Sequence, residues 1–249
     1  MSPPRSLICG NWKMNGVETS LAEARAVASW LDTHPVGTRV AICPPATLIS
    51  RMAATLAGSG IEVGGQDCSP EPSGAFTGDI SAEMLVDAGA TLVILGHSER
   101  RHGHGERNVD VAAKVRAAIR AGLEPIVCVG ESLQERRIGR ATGVVSAQVR
   151  ASLPLSLSGC AFCVAYEPVW AIGSGLTPSI VEIEAVHSAI RAALGERFGS
   201  AGANTPILYG GSVKADNAAQ VLGARDVGGA LVGGASLTLE AFNGILSAT

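Results

Sequence analysis

Eight short, β-rich apolar runs recur along the chain, separated by polar loops and by stretches with helix signals. The runs are apolar almost throughout rather than alternating, which is typical of strands buried on both faces of a parallel sheet. They are Leu7–Cys9, Val40–Cys43, Ile61–Val63, Leu92–Leu95, Ile126–Val129, Phe162–Ala165, Ile207–Tyr209 and Ala230–Val232. Eight β-then-α units in 249 residues predict an α/β fold, a single (β/α)8 barrel domain over residues 1–249.

Helix signals lie between the runs. Asn108–Ala121 is amphipathic. Ser179 and Glu182 have the spacing of a capping box before a helix over Ile183–Leu194, which Gly195 is predicted to end. A doubly wound sheet is the alternative fold, but it usually has fewer strands, and the G-x-G-x-x-G signal after the first strand is absent.

Composition excludes several classes of protein. The hydrophobic content of 47% is enough for one sizeable core, and a net charge of −3 gives no basic field for nucleic acid. No apolar run approaches the ~18 residues of a transmembrane helix, and we expect no signal peptide, because residues 1–5 are polar and the apolar stretch after them is short. The six cysteines do not suggest a disulfide framework in so long a chain. We therefore expect a soluble cytoplasmic protein with no membrane partner.

One carboxylate stands at the end of the sixth run. Phe162–Ala165 leads to Glu167, and Pro168 then ends the strand because it has no N–H for the ladder. A short apolar loop with two glycines, Gly173 and Gly175, follows. This layout is typical of a catalytic base at a barrel mouth, beneath a loop that closes and expels water. A surface glutamate before an ordinary loop is the alternative.

Polar groups also follow the first and fourth runs. Asn11 and Lys13 come after the first, and a lysine at a strand mouth can pair with an anionic substrate. His97 opens a helix-like segment, whose amides can donate to one ring nitrogen so that a neutral imidazole donates from the other. Taken singly, Lys13 would be interpreted as a solvated surface lysine and His97 as a structural histidine. The nearby His102 and His104 lack the spacing of a zinc site, so we expect no metal.

The seventh and eighth runs lead into glycine-rich loops. These are Gly210, Gly211 and Ser212, and then Gly233 and Gly234, each predicted to precede a helix. Glycine lets the backbone approach a ligand, and helix N-terminal amides bind anions. Loops after strands seven and eight are the usual phosphate site of this architecture, so the pattern favours phosphate binding; two tight turns are the alternative.

Six motifs occur in order across the whole chain: N-W-K-M-N at 11–15, G-H-S-E-R-R at 96–101, C-V-G-E at 128–131, Y-E-P-V-W-A-I-G at 166–173, Y-G-G-S-V at 209–213 and A-L-V-G-G-A-S-L at 230–237. With them the chain resembles the triosephosphate isomerase family. The resemblance implies a TIM barrel and a homodimeric, cofactor-free isomerase of glycolysis and gluconeogenesis. Such an enzyme interconverts dihydroxyacetone phosphate and D-glyceraldehyde 3-phosphate through an enediol(ate).

The resemblance also implies roles for individual residues. It makes Glu167 the base, His97 the electrophile, Lys13 an electrostatic and substrate-binding group, Glu99 a supporting acid and Asn11 a substrate-binding residue. The closing loop corresponds to Pro168–Thr177. The amides that bind the substrate phosphate correspond to Gly173, Ser212, Gly233 and Gly234.

The longest irregular loop of the sequence is Gly65–Gly78, and a loop of that length in a compact fold is usually functional. The resemblance implies that it inserts into a partner subunit, with Thr77 near Asn11 and Met14 of that subunit. The chain departs from the family pattern at Leu176, Pro178 and Gly228. Two other functions stay open: a phosphate-binding barrel such as a ribulose-phosphate epimerase-like enzyme, and a non-catalytic sugar-phosphate-binding barrel.

Overall fold

Parallel strands close into a barrel in the computed structural model, which describes residues 6–172 and 176–249. The eight strands of these residues pair in the order of the chain, and β8 pairs with β1. They are β1 Leu7–Asn11, β2 Arg39–Cys43, β3 Glu62–Gly65, β4 Leu92–Leu95, β5 Glu124–Val129, β6 Cys163–Tyr166, β7 Ile207–Tyr209 and β8 Gly229–Val232. The predicted (β/α)8 barrel is therefore confirmed, and each predicted strand overlaps an observed one.

Helices connect the strands on the outside of the barrel. The described residues form α1 Leu21–Thr33, α2 Ile49–Thr55, α3 Ala82–Asp87, α4 Ser98–Gly103, α5 Asn108–Ala121, α6 Leu133–Arg137, α7 Ala141–Ser152, α8 Ile180–Phe198, α9 Ser200–Asn204, α10 Ala218–Leu222 and α11 Leu239–Leu246. None of the helices in this part of the chain combines the length and apolar character of a membrane-spanning segment.

The start of α8 follows the sequence prediction, but its end does not. Ser179 and Glu182 form the predicted capping box. The prediction that Gly195 ends the helix is wrong, because α8 continues to Phe198 and stops at Gly199, whose φ is 61°. The ring of Phe198 packs edge-on against another phenylalanine, with 5.4 Å between the centroids. Packing of this last turn outweighs the ~1 kcal/mol that a glycine costs inside a helix.

The barrel interior is filled by small and medium apolar side chains from all strands except β3. They are Leu7, Cys9, Ala41, Cys43, Leu92, Ile94, Ile126, Cys128, Cys163, Ala165, Leu208 and Leu231. The cysteines of the chain are free thiols, and the Sγ atoms of Cys9 and Cys43 lie 3.5 Å apart. A second, larger apolar cluster lies between the strands and the helices. With the interior full, ligands have access only at the rim.

A charged cluster lies at the N-terminal end of the barrel. Arg39, the first residue of β2, makes a two-nitrogen contact with Glu62 of β3, at 2.8 and 2.9 Å. The same guanidinium contacts both carboxylate oxygens of Glu124 of β5, at 3.1 and 2.7 Å. These hydrogen bonds, the one to Glu62 foremost, raise the pKa of Arg39. One cation thus connects the starts of three strands and separates two carboxylates.

Replacing this cation should destabilise the barrel in a pH-dependent way. Arg39→Gln leaves two partly buried carboxylates facing each other, and we expect a loss of about 2 kcal/mol in the free energy of unfolding. The loss should be larger at pH 8 than at pH 5, because protonation relieves repulsion between carboxylates. Urea unfolding at one protomer concentration measures both values.

The matched control is Arg150→Gln, which removes an exposed cation paired with Glu196 at 2.8 Å. An exposed pair of this kind contributes roughly 0–1 kcal/mol, so this variant should stay close to the parent. Equal losses for the two variants, or a loss in Arg39→Gln that does not change with pH, would contradict the account of the cluster.

Candidate active site

The C-terminal ends of the strands surround a cavity of about 690 Å³. Most of the residues predicted for binding or catalysis line it, namely Asn11, Lys13, His97, Glu99, Ser212, Gly233 and Gly234. Lys214 lines it as well, so two lysines give the cavity positive charge. Gly173, the remaining predicted phosphate contact, lies outside the described residues. Residues from four strand ends therefore share one space large enough for a small phosphorylated substrate.

Lys13 reaches the cavity from a strained backbone position. Its φ is 53°, in the left-handed region that costs a non-glycine residue roughly 1–2 kcal/mol. Two hydrogen bonds hold it there: its N–H donates to Oδ1 of Asn11 at 3.0 Å, and Nε2 of Gln66 donates to its carbonyl at 2.9 Å. Its Nζ lies 2.6 Å from Oε1 of Glu99. Such maintained strain is common at functional sites.

The imidazole of His97 is fixed by the first turn of α4. His97 is the N-cap residue, and the amide N–H of Glu99 donates to its Nδ1 at 3.2 Å. Because Nδ1 accepts a hydrogen bond, the proton of the neutral ring is on Nε2. Nε2 lies 3.0 Å from Oε1 of Glu167. The ring is therefore held as a donor aimed at the predicted base.

The carboxylate of Glu167 is 2% exposed and is surrounded by donors. Besides His97, the backbone N–H of Ser98 donates to Oε2 at 3.0 Å, and its hydroxyl donates to Oε1 at 2.9 Å. Burial raises the pKa of Glu167, but the hydrogen bonds that His97 and Ser98 donate to the carboxylate outweigh burial. They hold the pKa below that of an ordinary glutamate, so the group is ionised at neutral pH.

Two backbone features place this carboxylate. The N–H of Glu167 donates to the carbonyl of Val129 at 2.8 Å, which extends the pairing of β5 and β6 by one residue before Pro168. Beside it, Gly210 leaves room, because a Cβ there would lie 3.0 Å from Cγ of Glu167 and 3.1 Å from the carbonyl of Tyr166. The side chain thus has space on the β7 side.

A second cavity, of about 430 Å³, lies on the other side of α4's first turn. Glu167 lines this cavity and not the larger one, whereas Ser98 and Val169 line both. Ser98, His102 and Val169 therefore lie between the two spaces, and the Glu167 side chain is on the side of the smaller one. To face a ligand in the larger cavity, the carboxylate has to leave Ser98 and turn toward it.

The two glycine-rich loops reach the larger cavity, but the predicted helices do not follow them directly. A turn over residues 214–217 separates Ser212 from α10, and a short 3-10 helix, Gly234–Ser236, separates Gly233 from α11. Each loop thus precedes a helix as predicted, the first after a turn and the second through a 3-10 helix whose N-cap residue is Gly233. What holds the second loop is its own turn, in which the N–H of Ser236 donates to the carbonyl of Gly233 at 2.9 Å.

Sequence reasoning assigned no role to several residues of the site. Ser98 lies inside the G-H-S-E-R-R motif, but nothing in the sequence shows which carboxylate it contacts. Glu131 ends the C-V-G-E motif and is fully buried. It accepts hydrogen bonds from the Tyr166 hydroxyl at 3.1 Å, Nε1 of Trp170 at 2.8 Å and Nη1 of Arg136 at 3.1 Å. Glu131 thus connects the loop after β5 to the segment after Glu167.

Comparison with known proteins gives one consistent family. The family model described as triosephosphate isomerase matches residues 6–249. The triosephosphate isomerase of Caulobacter vibrioides is 58% identical over 245 residues, which are 98% of this chain and 97% of that protein. The Xanthobacter flavus enzyme is 55% identical over 244 residues, again 98% and 97% of the two chains.

A solved structure agrees with these relatives. The crystal structure of triosephosphate isomerase from Bartonella henselae superposes with a TM-score of 0.92 at 44% sequence identity. The match covers 98% of this chain and 99% of that one. Sequence and architecture agree over almost the whole length, and this chain belongs to the triosephosphate isomerase family.

Proposed function

We propose that this chain interconverts dihydroxyacetone phosphate and D-glyceraldehyde 3-phosphate as a cofactor-free cytoplasmic isomerase, the barrel acting as one catalytic domain. The observation that carries the proposal is the pairing of an ionised, buried Glu167 with the Nε2 donor of His97 at 3.0 Å. Lys13 and both glycine-rich loops line the cavity next to this pair. A base, a neutral electrophile and an anion site are the groups that this reaction requires.

Binding comes first in the proposed mechanism. The substrate phosphate is held by the backbone amides of Ser212, Gly233 and Gly234, with Gly173 as a further contact. Lys13 supplies positive charge, and Asn11 holds the Lys13 backbone. The carboxylate of Glu167 then exchanges its bonds to Ser98 for a position next to the substrate carbon.

Proton transfer follows from the groups now present. Glu167 removes a proton from the carbon next to the carbonyl, and negative charge grows on the carbonyl oxygen. Nε2–H of His97 and the ammonium of Lys13 stabilise that oxygen, and Glu99 supports Lys13 through the 2.6 Å contact. One proton also passes from the substrate hydroxyl oxygen to the former carbonyl oxygen, with Nε2 of His97 as the group that donates and takes back a proton between the two oxygens. Glu167 then returns its own proton to the neighbouring carbon, so that the C=O and the hydroxyl have exchanged places. No metal is needed, because hydrogen bonds and one ammonium stabilise the enediolate.

Water has to be excluded while the enediolate exists, since this species would eliminate its phosphate in contact with solvent. Val169 and Ile172, at the start of the 168–177 loop, give the cavity an apolar edge. Trp170 of the same segment is tied to Glu131 at 2.8 Å. We infer that this loop covers the substrate. At its far end the chain departs from the family pattern, at Leu176 and Pro178.

A coupled assay with each triose phosphate in turn tests the proposed function. The purified chain should interconvert the two in the presence of EDTA. Glu167→Gln keeps the side-chain shape and removes the base, so kcat should fall by at least ~10²-fold while KM changes much less. Glu196→Gln, which removes an exposed carboxylate, is the matched control and should keep the parent kcat.

A Glu167→Gln variant with near-parental kcat would place the base elsewhere. Activity that disappeared with EDTA and returned with zinc would contradict the metal-free mechanism. Epimerisation of a pentose phosphate without triose interconversion would favour the epimerase-like barrel. Binding of triose phosphates without turnover would favour the non-catalytic barrel.

We further propose a homodimer formed through the 65–78 loop. The outer part of this loop is exposed, including Phe76 at 47%, and Met14 is 96% exposed. The base of the loop is firmly attached: Nε2 of Gln66 donates to the carbonyl of Lys13 at 2.9 Å, and Asp67 pairs with Nζ of Lys114 at 2.7 Å. Large apolar side chains that are exposed on a loop with a fixed base are typical of a surface that binds another protein.

The chemistry of the site explains why a partner matters. Gln66 contacts Lys13 directly, so a partner that orders the loop also holds the strained backbone of the predicted substrate-binding lysine. In the proposed dimer, Thr77 lies near Asn11 and Met14 of the partner subunit. Each barrel then carries its own reacting groups and depends on the neighbour for their placement.

Charged substitutions in the loop should give monomers with little activity. In a chain carrying Ala75→Glu and Phe76→Asp, two exposed loop positions become charged, and we expect at least roughly tenfold lower kcat/KM because misplaced groups lose rate steeply. Val181→Glu, at an exposed apolar position on α8, is the control and should remain a dimer. Light scattering and activity are measured at the same concentration. A fully active monomer would refute the proposal.

A further inference from the structure

The guanidinium of Arg101 turns back from α4 beneath the predicted catalytic groups and contacts two strand ends. Its Nε donates to the carbonyl of Gly96 at 2.8 Å, and its Nη2 donates to the carbonyl of Cys128 at 3.0 Å. The remaining donors reach Oδ1 of Asn108 at 2.8 Å and the hydroxyl of Ser152 at 3.2 Å. One side chain therefore connects β4, β5, α5 and α7.

The two carbonyls are adjacent in the chain to the groups that hold the base. Gly96 directly precedes His97, which donates to Glu167. Cys128 directly precedes Val129, whose carbonyl accepts the N–H of Glu167. A shift of either strand end would therefore change the separation of imidazole and carboxylate. The planar fork of an arginine donates from separate nitrogens in a fixed geometry and so fixes the spacing of two carbonyls, whereas the donors of a lysine share one rotatable nitrogen.

The charge of this guanidinium has no direct counter-ion. All four of its acceptors are neutral, and within residues 6–172 and 176–249 no carboxylate forms an ion pair with it. A partly buried cation without a paired anion destabilises a fold rather than stabilising it. Glu106 and Glu167 are the carboxylates whose charge acts on it. The arrangement therefore needs a reason other than stability.

The second cavity shows where this charge is directed. Arg101, Ser98 and Glu167 all line the same 430 Å³ space, and the charge of Glu167 acts on the guanidinium. The titratable groups that face Glu167 are His97 and the Cys128 thiol. His97 is neutral in its hydrogen-bonded form, and burial keeps the thiol protonated by raising its pKa. Arg101 is then a permanent positive charge on this side of the base; Arg107 also lines this cavity, but it is paired with Asp110 at 3.0 Å.

We propose that Arg101 is a positioning residue for the isomerisation: its fork fixes the ends of β4 and β5 so that His97 and Ser98 meet Glu167, and its charge favours the ionised base. This inference rests on the proposed function for its effect on rate. Its effect on the Glu167 carboxylate is independent of turnover. The two can therefore be tested separately.

The experiment compares Arg101→Gln and Arg101→Lys in the full-length chain, with Arg150→Gln as the control for loss of one positive charge. For each variant, kcat, KM and the thermal midpoint are measured, and the titration of Glu167 is followed by carboxyl ¹³C NMR, assigned with Glu167→Gln. Arg101→Gln should lower kcat roughly tenfold or more through misplacement, with a smaller change in KM. In Arg101→Gln, the pH at the midpoint of the Glu167 titration should rise by about half a pH unit or more, because a nearby positive charge is lost.

Arg101→Lys separates the two contributions. It keeps the charge and loses the fork, so the Glu167 midpoint should stay at the parental value while kcat still falls. If Arg101→Gln does not fold, a parental kcat in Arg101→Lys would by itself refute the proposal that the fork positions the ends of β4 and β5. An unchanged Glu167 midpoint in folded Arg101→Gln would refute the electrostatic role. Shifted titration in a protein whose parent shows no isomerase activity would support the role of Arg101 and refute the proposed function.

Discussion

The Glu167 carboxylate holds its charge in a nearly dry site because three donors from one short segment surround it. An isolated ion in such a place would take up a proton. His97 and Ser98 provide the donors, and both begin α4. The site therefore depends on the position of α4 relative to the end of β6. Arg101 and the ladder bond to Val129 both bear on that position.

The barrel produces this arrangement by bringing distant parts of the chain to one rim. Lys13 and Glu99 are 86 residues apart in sequence and meet at 2.6 Å because parallel strands end at the same edge. The filled interior and the Arg39 cluster hold the strands at the opposite end. Local strain at Lys13 and an unpaired cation at Arg101 are then supported by a rigid frame.

Much of this architecture could be predicted from the sequence, for physical reasons. Buried parallel strands leave short apolar runs, and α5 spans the Asn108–Ala121 stretch whose amphipathic pattern indicated a helix. The predicted end of α8 at Gly195 was wrong because Phe198 makes a tertiary packing contact, which local helix propensity does not include. The contact between Ser98 and Glu167 joins residues 69 apart, and Arg101 contacts carbonyls that carry no side-chain signal. These contacts are set by the register of the strands in the barrel, which the amino-acid composition does not determine.

In the proposed mechanism, the Glu167 carboxylate is bound by Ser98 before the substrate arrives and then moves to the substrate. A crystal structure with bound 2-phosphoglycolate, an anion that pairs a phosphate with an enediolate-like carboxylate, tests this most directly. We predict that the Glu167 carboxylate leaves both donors of Ser98 and lies within about 3 Å of the ligand, with the phosphate on the amides of Ser212, Gly233 and Gly234. A ligand bound in the larger cavity while Glu167 remained on Ser98 would contradict the account.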